Sequence, residues 1–350
     1  MSDSAPRGPR TVPWGKVIQR VLLLTLGLVV FNLLLPQLLG MLKQVPALET
    51  IDFRWFVVIF ALEAGAFVAF WELTRIAVPG VSWFVAATSQ LAANAAAKVM
   101  PGGAMVGGAL YYRMLSVSGI PQGQAAAALA ATSFISTLVL LSLPAAAIVI
   151  AALSAPIPQG LLPVALIGTV LFAVLFVVAL VLARTDKPLL MAGHLIERAV
   201  TWAAHRFHKP WHVSTGSFIH RRDEVVTALG ARWRKAVGAA VLNWLLDYLA
   251  LFMSLVAVGA RPRASLVLLA FASAAVLGMI PITPGGLGFV EIGLSSLLTL
   301  SGIPASDAVL ATLAYRLFQF WMPIPAGAVA YALFRMRYGK VKDLPQPSPS

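Results

Sequence analysis

The sequence predicts an all-α integral membrane protein with about six full transmembrane helices and two re-entrant helical hairpins arranged as an inverted repeat. Three observations carry this expectation. First, the chain of 350 residues is 59% hydrophobic and 11% charged, with a mean hydropathy of +0.86, whereas a soluble domain carries about 25% charged residues. Second, its apolar residues gather into runs of about 20, the length at which a helix crosses a hydrocarbon core of about 30 Å. Third, Pro101-Gly102-Gly103 and Ser118-Gly119-Ile120-Pro121 return as Pro284-Gly285-Gly286 and Ser301-Gly302-Ile303-Pro304, every position shifted by 183.

Taken in order, residues 1–16 are polar and read as a disordered cytoplasmic tail. The run at 17–42 is too long for a signal-peptide core and lacks a clear small-residue cleavage site, so it is an uncleaved span. It opens the first membrane repeat, 17–153, which continues with a span at about 55–78 and an Ala-rich arm at 83–97. That arm breaks at Lys98-Val99-Met100-Pro101-Gly102-Gly103, and a short amphipathic arm at 104–117 follows. A span at 124–153, kinked or broken near Pro144, completes the repeat. The stretch 154–183 supplies one more span. Residues 184–235 then lose hydrophobicity and collect ten Lys or Arg residues between Arg184 and Lys235. They form a basic amphipathic cytoplasmic loop, with 189–207 spaced as a helix lying among headgroups. The second repeat, 236–334, has a span at 236–258, an arm at 265–280, a break from Pro281 to Gly288, an arm to Leu300 and a last span at 305–334. Residues 335–350 are a basic, Pro/Ser-rich tail.

The hairpins therefore lie at 83–118 and 265–301. Their arms are short and interrupted, which suits re-entry better than two crossings, because irregular backbone at membrane depth must be buried in protein or line a cavity. Three full crossings separate them, and an odd number inverts the second repeat relative to the first. Charge agrees: with the N-terminus inside, the basic loop and the basic tail both fall on the cytoplasmic side. Opposed broken helices meeting near the midplane are a recurrent plan for transport sites.

Ionisable residues inside spans are costly and point to function. Here they are Glu63, Glu72, Asp247, Glu291 and Arg316. Glu63 shifted by 183 falls on Leu246, next to Asp247, so the two acids occupy nearly equivalent places in the two halves. Glu63 and Glu72 stand nine residues apart, about 180° around a helix. Glu63 is the interior choice, since Glu72 lies close to Arg75 and the surface. The stretch Pro284-Gly285-Gly286-Leu287-Gly288 sets a flexible turn before a helix start, where free N–H groups attract an anion such as a phosphate. Glu291 in the first turn has a simpler role as a helix stabiliser, with a salt bridge to Arg316 or a proton-linked role as alternatives. Arg316 suits bidentate phosphate binding or pairing with an acid. Lys98 and Arg113 flank the first hairpin, where they meet headgroups at its mouth or simply snorkel. With them, Pro101, Gly102 and Gly103 complete the candidate substrate-binding set.

Other chemistries are set aside. The chain carries 26 Lys+Arg against 13 Asp+Glu, but these sit in tails and one loop, matching anionic lipid headgroups rather than nucleic acid. It has no Cys, so disulfides, thiolate metal sites and thiol nucleophiles are out. His205, His208 and His212 are interrupted by Lys209-Pro210 and no carboxylate is close, so no metal site is expected. The glycine motifs match neither a Walker loop nor a dinucleotide fingerprint, and no nucleophile elbow is present, so no cofactor and no catalytic residue are assigned.

The stretch from Pro284-Gly285-Gly286-Leu287-Gly288 to Glu291, followed by Gly302-Ile303-Pro304, Tyr315-Arg316, Trp321-Met322-Pro323 and Gly327, resembles the C-terminal signature of the lysylphosphatidylglycerol synthase transmembrane-region family, also called the flippase-like domain family. The resemblance covers about residues 17–338. It implies a bacterial or archaeal inner-membrane protein whose relatives move aminoacylated phospholipids, polyprenyl-linked lipids or hopanoids between leaflets. It also implies functional roles for Pro284, Gly285, Gly286, Gly288, Glu291 and Arg316. Many relatives carry a Gly-Glu pair ahead of the first-repeat Arg and a Glu-Arg pair in the next span; here Gly107-Gly108 precede Arg113, and Ala131-Thr132-Ser133 stands at the later place. The chain ends soon after its last span, so the soluble transferase domain of bifunctional relatives, and lipid synthesis with it, is not expected.

The resulting expectation is a flippase-like protein, not an enzyme, that passes a phospholipid or other anionic or isoprenoid lipid headgroup through a polar cavity between opposed hairpins. Its partners are membrane lipids, and a homo-oligomer is allowed. The alternatives are a membrane-embedded transferase acting on a lipid headgroup and a proton-coupled transporter of a small solute.

Overall fold

The computed structural model describes residues 45–100, 103–154, 230–279 and 284–339, with scattered helical positions between 163 and 177. The expected spans at 17–42 and 161–183, the basic loop at 184–235, the tails, Pro101 and Gly102 lie wholly or mostly outside the described residues. Every regular element among those described is helical. They are α1 (Phe53–Ala77), α2 (Trp83–Val99), α3 (Gly103–Val117), α4 (Gln122–Ser154), α5 (Trp233–Ala257), α6 (Ala264–Gly278), α7 (Phe289–Leu300), α8 (Ala305–Arg316) and α9 (Pro323–Tyr338). Four stretches among the described residues are long and apolar enough to cross a membrane: Phe53–Ala77, Gln122–Ile150, Trp233–Ala257 and Ala305–Tyr338. The helix α4 runs through Pro144 without a break.

The repeat is visible in the backbone. Moving α1, α2, α3 and α4 along the chain by 183 residues brings their starts within three residues of the starts of α5, α6, α7 and α8. The shared Ser-Gly-Ile-Pro motif has one physical job in both copies. Gly119 and Gly302 sit at φ +94° and +91°, a left-handed position that ends the preceding helix and that L side chains rarely adopt. Ile120 N–H donates back to Leu115 O, and Ile303 N–H to Leu298 O, closing the same helix-terminating turn. Pro121 and Pro304 then offer their carbonyls to Ala125 N–H and Ala308 N–H, which starts the next helix.

The inversion follows from which ends touch. On α1 and α5, Leu73 and Ile76 share an apolar cluster with Ala236 and Ala240, Asn243 Nδ2 donates to Ala66 O at 2.9 Å, and Ile59 packs in the cluster that holds Leu251 and Leu255. The two helices are therefore antiparallel and cross along their full length. Where α1 ends, Ala77, Val78 and Val81 pack with Val85, Leu115, Ala125 and Phe334; this distal end holds the base of the α2–α3 hairpin. The opposite, proximal end holds Leu297, Leu298, Ile303 and Ala308, packed with Ile59 and Leu255. The α6–α7 hairpin thus enters from the proximal end and the α2–α3 hairpin from the distal end. Their tips meet in the middle, where a Cβ on Gly285 would stand 2.9 Å from Lys98 O.

Small residues permit this closeness. A Cβ on Gly107 would lie 2.6 Å from Ala93 O and 2.8 Å from Ala97 Cβ, so α2 and α3 approach at backbone contact, the packing that membrane helices favour in place of a hydrophobic driving force. Gly327 meets Ala95 and the Leu91 carbonyl in the same way and seats α9 on α2.

Candidate functional site

The meeting point of the tips holds the charges. From the proximal hairpin, Gly288 caps α7 and its N–H donates to Glu291 Oε2 at 2.8 Å. Glu291, 4% exposed, also receives Arg316 Nε at 2.8 Å and lies 2.8 Å from Arg316 Nη2. Arg316, 5% exposed, donates Nη1 to Gln319 Oε1 at 2.9 Å and stacks its guanidinium over Phe320 at 4.3 Å. A buried ion pair has its value in geometry: removing one partner leaves the other charged and unsolvated, at a cost of about 3–5 kcal/mol.

After Arg316 the last span widens into a π-turn over Leu317–Trp321, with Met322 N–H reaching back to Leu317 O at 2.9 Å. Such turns leave main-chain carbonyls open and gather at functional sites. Here Gln319 O is taken by Lys98 Nζ from the distal hairpin at 2.5 Å, and the same ammonium lies 5.3 Å from the Phe320 ring centre. Lys98 thereby ties the tip of one hairpin to the span that follows the other.

From the crossing of α1 and α5 come Glu63, 4% exposed, and Asp247, whose carboxyl groups are within hydrogen-bonding reach of each other. Tyr315 Oη donates to Asp247 Oδ1 at 2.6 Å, while Glu63 Oε1 has no hydrogen-bond partner. Glu72 instead pairs with Arg75 at 2.8 Å, both partly exposed, as a surface ion pair of small energetic value.

Two cavities share this cluster. One of about 710 Å³ lies against α6, α7 and α8 and is lined by Arg316, Gly285 and Tyr315. The other, of about 690 Å³, lies between α1, α2 and α5 and is lined by Glu63, Gln90, Asn94 and Asn243. Lys98, Trp244, Asp247 and Gln319 line both. An arrangement with three acids and two bases at the centre of an apolar bundle can desolvate and hold a polar group while keeping it among hydrogen-bonding partners.

The structure thus brings together Glu63, Lys98, Asp247, Gly285, Glu291 and Arg316. Pro284 and Gly286 belong to the turn that carries Gly285, and a Cβ on Gly286 would collide with Val290 Cγ2 at 2.6 Å. Gly103 begins α3 at φ +45°. Two expectations change. Lys98 lies at the innermost point of its hairpin and not at a mouth, because the arm that carries it ends at the tip. Arg113 is exposed and stands apart from the cluster. In addition, Gly288 N–H, expected to face an anion, is already filled by the chain's own Glu291.

The pattern of charges does not mark Gln90, Asn94, Asn243 or Gln319, and it leaves Tyr315 as a motif residue without a role. A signal existed: Gln90, Asn94 and Lys98 recur every four residues along the Ala-rich α2, which stripes one face with polar groups. Being uncharged, these amides leave no mark in the charge pattern.

A family model described as the lysylphosphatidylglycerol synthase TM region matches residues 19–327. Two proteins described as UPF0104 membrane proteins from Methanothermobacter thermautotrophicus are similar to parts of the chain. One is 31% identical over 90 residues, covering 26% of this chain and 27% of that protein. The other is 27% identical over 139 residues, covering 40% and 38%. The matched stretches therefore span well under half of these curated relatives. With a family match across most of its length and an all-helical bundle of membrane-crossing helices, this chain is a membrane protein and belongs to the lysylphosphatidylglycerol synthase transmembrane-region family.

Proposed function

We propose that the protein moves a lipid between leaflets, with the headgroup passing through the charged cavities where the hairpin tips meet. The observation that carries this reading is the pairing of polar and apolar space around Glu63. Glu63 and Phe67 line the 690 Å³ cavity and also an apolar slot of about 780 Å³ between α1 and the last span, walled by Phe60, Ala64, Val68, Met322 and Ala326. Val68 and Met322 are exposed on the outer surface of the bundle. A ligand that fills both spaces has a polar head and a hydrocarbon chain, which favours a lipid over a small solute.

Orientation follows from charge. Arg232, Arg234, Lys235, Arg335 and Arg337 stand at the distal end, at the start of α5 and the end of α9. Glu49, Asp52 and Asp307 stand at the proximal end beside only three arginines among the described residues, Arg54, Arg261 and Arg263. By the excess of Lys and Arg on the cytoplasmic side, the distal end faces the cytoplasm of the cell that carries the protein in its inner membrane.

The test is reconstitution in vesicles with headgroup-labelled phosphatidylglycerol, reading leaflet exchange by quenching and lipid identity by mass spectrometry. Exchange with unchanged lipid mass is expected, and it should fall in Lys98→Met and Glu291→Gln at equal protein levels. A lipid of new mass would replace this reading with headgroup transfer. Vesicles that show neither would remove both.

A further inference from the structure

Glu63 and Asp247 put two buried carboxyl groups in hydrogen-bonding contact at the crossing of α1 and α5. An oxygen-to-oxygen contact between two carboxylates is repulsive, and it closes when a proton lies between them. The two acids therefore hold at least one proton as a unit. Tyr315 Oη donates to the Asp247 side of the pair, while Glu63 Oε1 has no hydrogen-bond partner among the described residues.

Charge sets how many protons the pair holds. Lys98 faces it from α2 and Arg316 from α8, with Glu291 of α7 bound to that arginine. Among the described residues lining the two cavities, α4 and α6 bring no ionisable group and the π-turn brings the Gln319 amide. Glu72 and Arg75, on α1 itself, pair with each other farther along the helix. With one proton on the pair, the two cations balance Glu291 and the remaining carboxylate, and the centre is neutral. A headgroup phosphate drawn to Lys98 and Arg316 adds a negative charge, which is costly inside an apolar bundle. Glu291 is already taken by Arg316 and by Gly288 N–H. Among the described residues, the open place for a compensating proton is the remaining carboxylate of the pair.

We propose that Glu63 and Asp247 form a proton site that couples each anionic headgroup to one proton. When the phosphate enters, a proton from water bonds to the remaining carboxylate oxygen, and it returns to water when the headgroup leaves. The proposal rests on the translocation reading for its cargo and on the carboxyl contact for its proton. Gln90, Asn94 and Asn243 wall the cavity that Glu63 lines, and such a polar space of this size admits water to the pair. Headgroup and proton then cross together without net charge. A pH difference across the membrane therefore drives the lipid, and an electrical potential does not.

The protein in nonionic detergent would be titrated with short-chain phosphatidylglycerol in weakly buffered solution containing a pH indicator. Uptake of about one proton per lipid bound is expected, with a matching gain of the protonated-carboxyl C=O band in infrared difference spectra. Because the bound form holds the extra proton, raising the pH through the range where the pair titrates should weaken binding about tenfold per pH unit. The double variant Glu63→Gln with Asp247→Asn imitates the fully protonated pair, so it should bind without proton uptake and without that pH dependence. In vesicles, compared with protein-free controls, a pH gradient should collect phosphatidylglycerol in the leaflet on the alkaline side, and a potassium diffusion potential should not move it. Binding by the parent protein without proton uptake, or a pH dependence that survives in the double variant and so belongs to Lys98, overturns the proton site and leaves translocation standing. Redistribution that follows the potential and ignores the gradient overturns the coupling. Proton uptake in a protein that moves no lipid overturns translocation and leaves a proton-linked binding site.

Discussion

The α2–α3 and α6–α7 hairpins end in the same turn, with the same backbone bonds at a shift of 183 residues, yet they are lined differently. At the position where α3 has Gly107, in backbone contact with Ala93 and Ala97, α7 has Val290, packed against the Gly286 turn. At the position where α4 has Ser133, α8 has Arg316, bound to Glu291. The distal hairpin is closed by tight small-residue packing, and its Lys98 donates to the Gln319 carbonyl. The proximal hairpin is held by an ion pair and a carboxylate cap. The comparison teaches that the repeated motif specifies a shape, while the side chains at matched positions decide whether that shape is closed by neutral packing or by an ion pair.

The strongest way to break this contrast is Arg316→Ala. It strands Glu291 as a buried charge, and the protein should lose about 3–5 kcal/mol of stability, seen as a fall in melting temperature in detergent. The double change Glu291→Gln with Arg316→Met should recover most of that loss without recovering lipid exchange. Stability equal to the parent in Arg316→Ala would mean that the proximal hairpin is not held by its ion pair.

Next comes an exchange of furniture between the copies. Gly107→Val installs the residue of the second hairpin in the first, and the clash with Ala93 O should cost about 1–3 kcal/mol. The reciprocal Val290→Gly removes a side chain without a clash, so it should leave the hairpin assembled and the thermal midpoint closer to the parent. Similar losses from the two would contradict the difference in packing.

The shared turns offer a symmetric test. Gly119→Ala and Gly302→Ala each force a Cβ into left-handed backbone with open space around it, so each should cost about 1–2 kcal/mol of conformational strain. Urea or thermal titration should find them alike, and a wide disparity would show that the turns are not equivalent.

The smallest effect is expected at Tyr315→Phe, which removes the hydroxyl from Asp247 and should cost about 0.5–1.5 kcal/mol while slowing lipid exchange. Its repeat partner Thr132→Val loses only bonds to Ala128 O and Leu129 O within its own helix, and the melting temperature should change less. Melting curves and exchange rates on the same preparations separate the two.

Much of this could be read along the chain. Hydropathy and run length anticipated the helices among the described residues, because a span in lipid must satisfy its backbone internally and cover itself with apolar side chains over a fixed distance. The 183-residue offset located the hairpins, since Gly at positive φ followed by Ile and Pro is a local requirement of the turn. Glu63 was legible as an interior acid from its half-turn separation from Glu72.

What faces what was not legible. Glu63 and Asp247 hold nearly equivalent places in the two repeats, yet equivalence alone does not make neighbours. They touch because α1 and α5 cross antiparallel, and only near the centre of such a crossing does a residue meet its own counterpart; away from it, Ile76 meets the start of α5 and Ile59 its end. Likewise, the bond from Lys98 to Gln319 spans 221 residues and depends on a π-turn that exposes one carbonyl. Sequence by itself determined a helical membrane protein with two like hairpins, because lipid and turn geometry act on neighbours along the chain. The tertiary structure decided that five charges share one centre, because their energy depends on distances set by packing between segments that the chain keeps far apart.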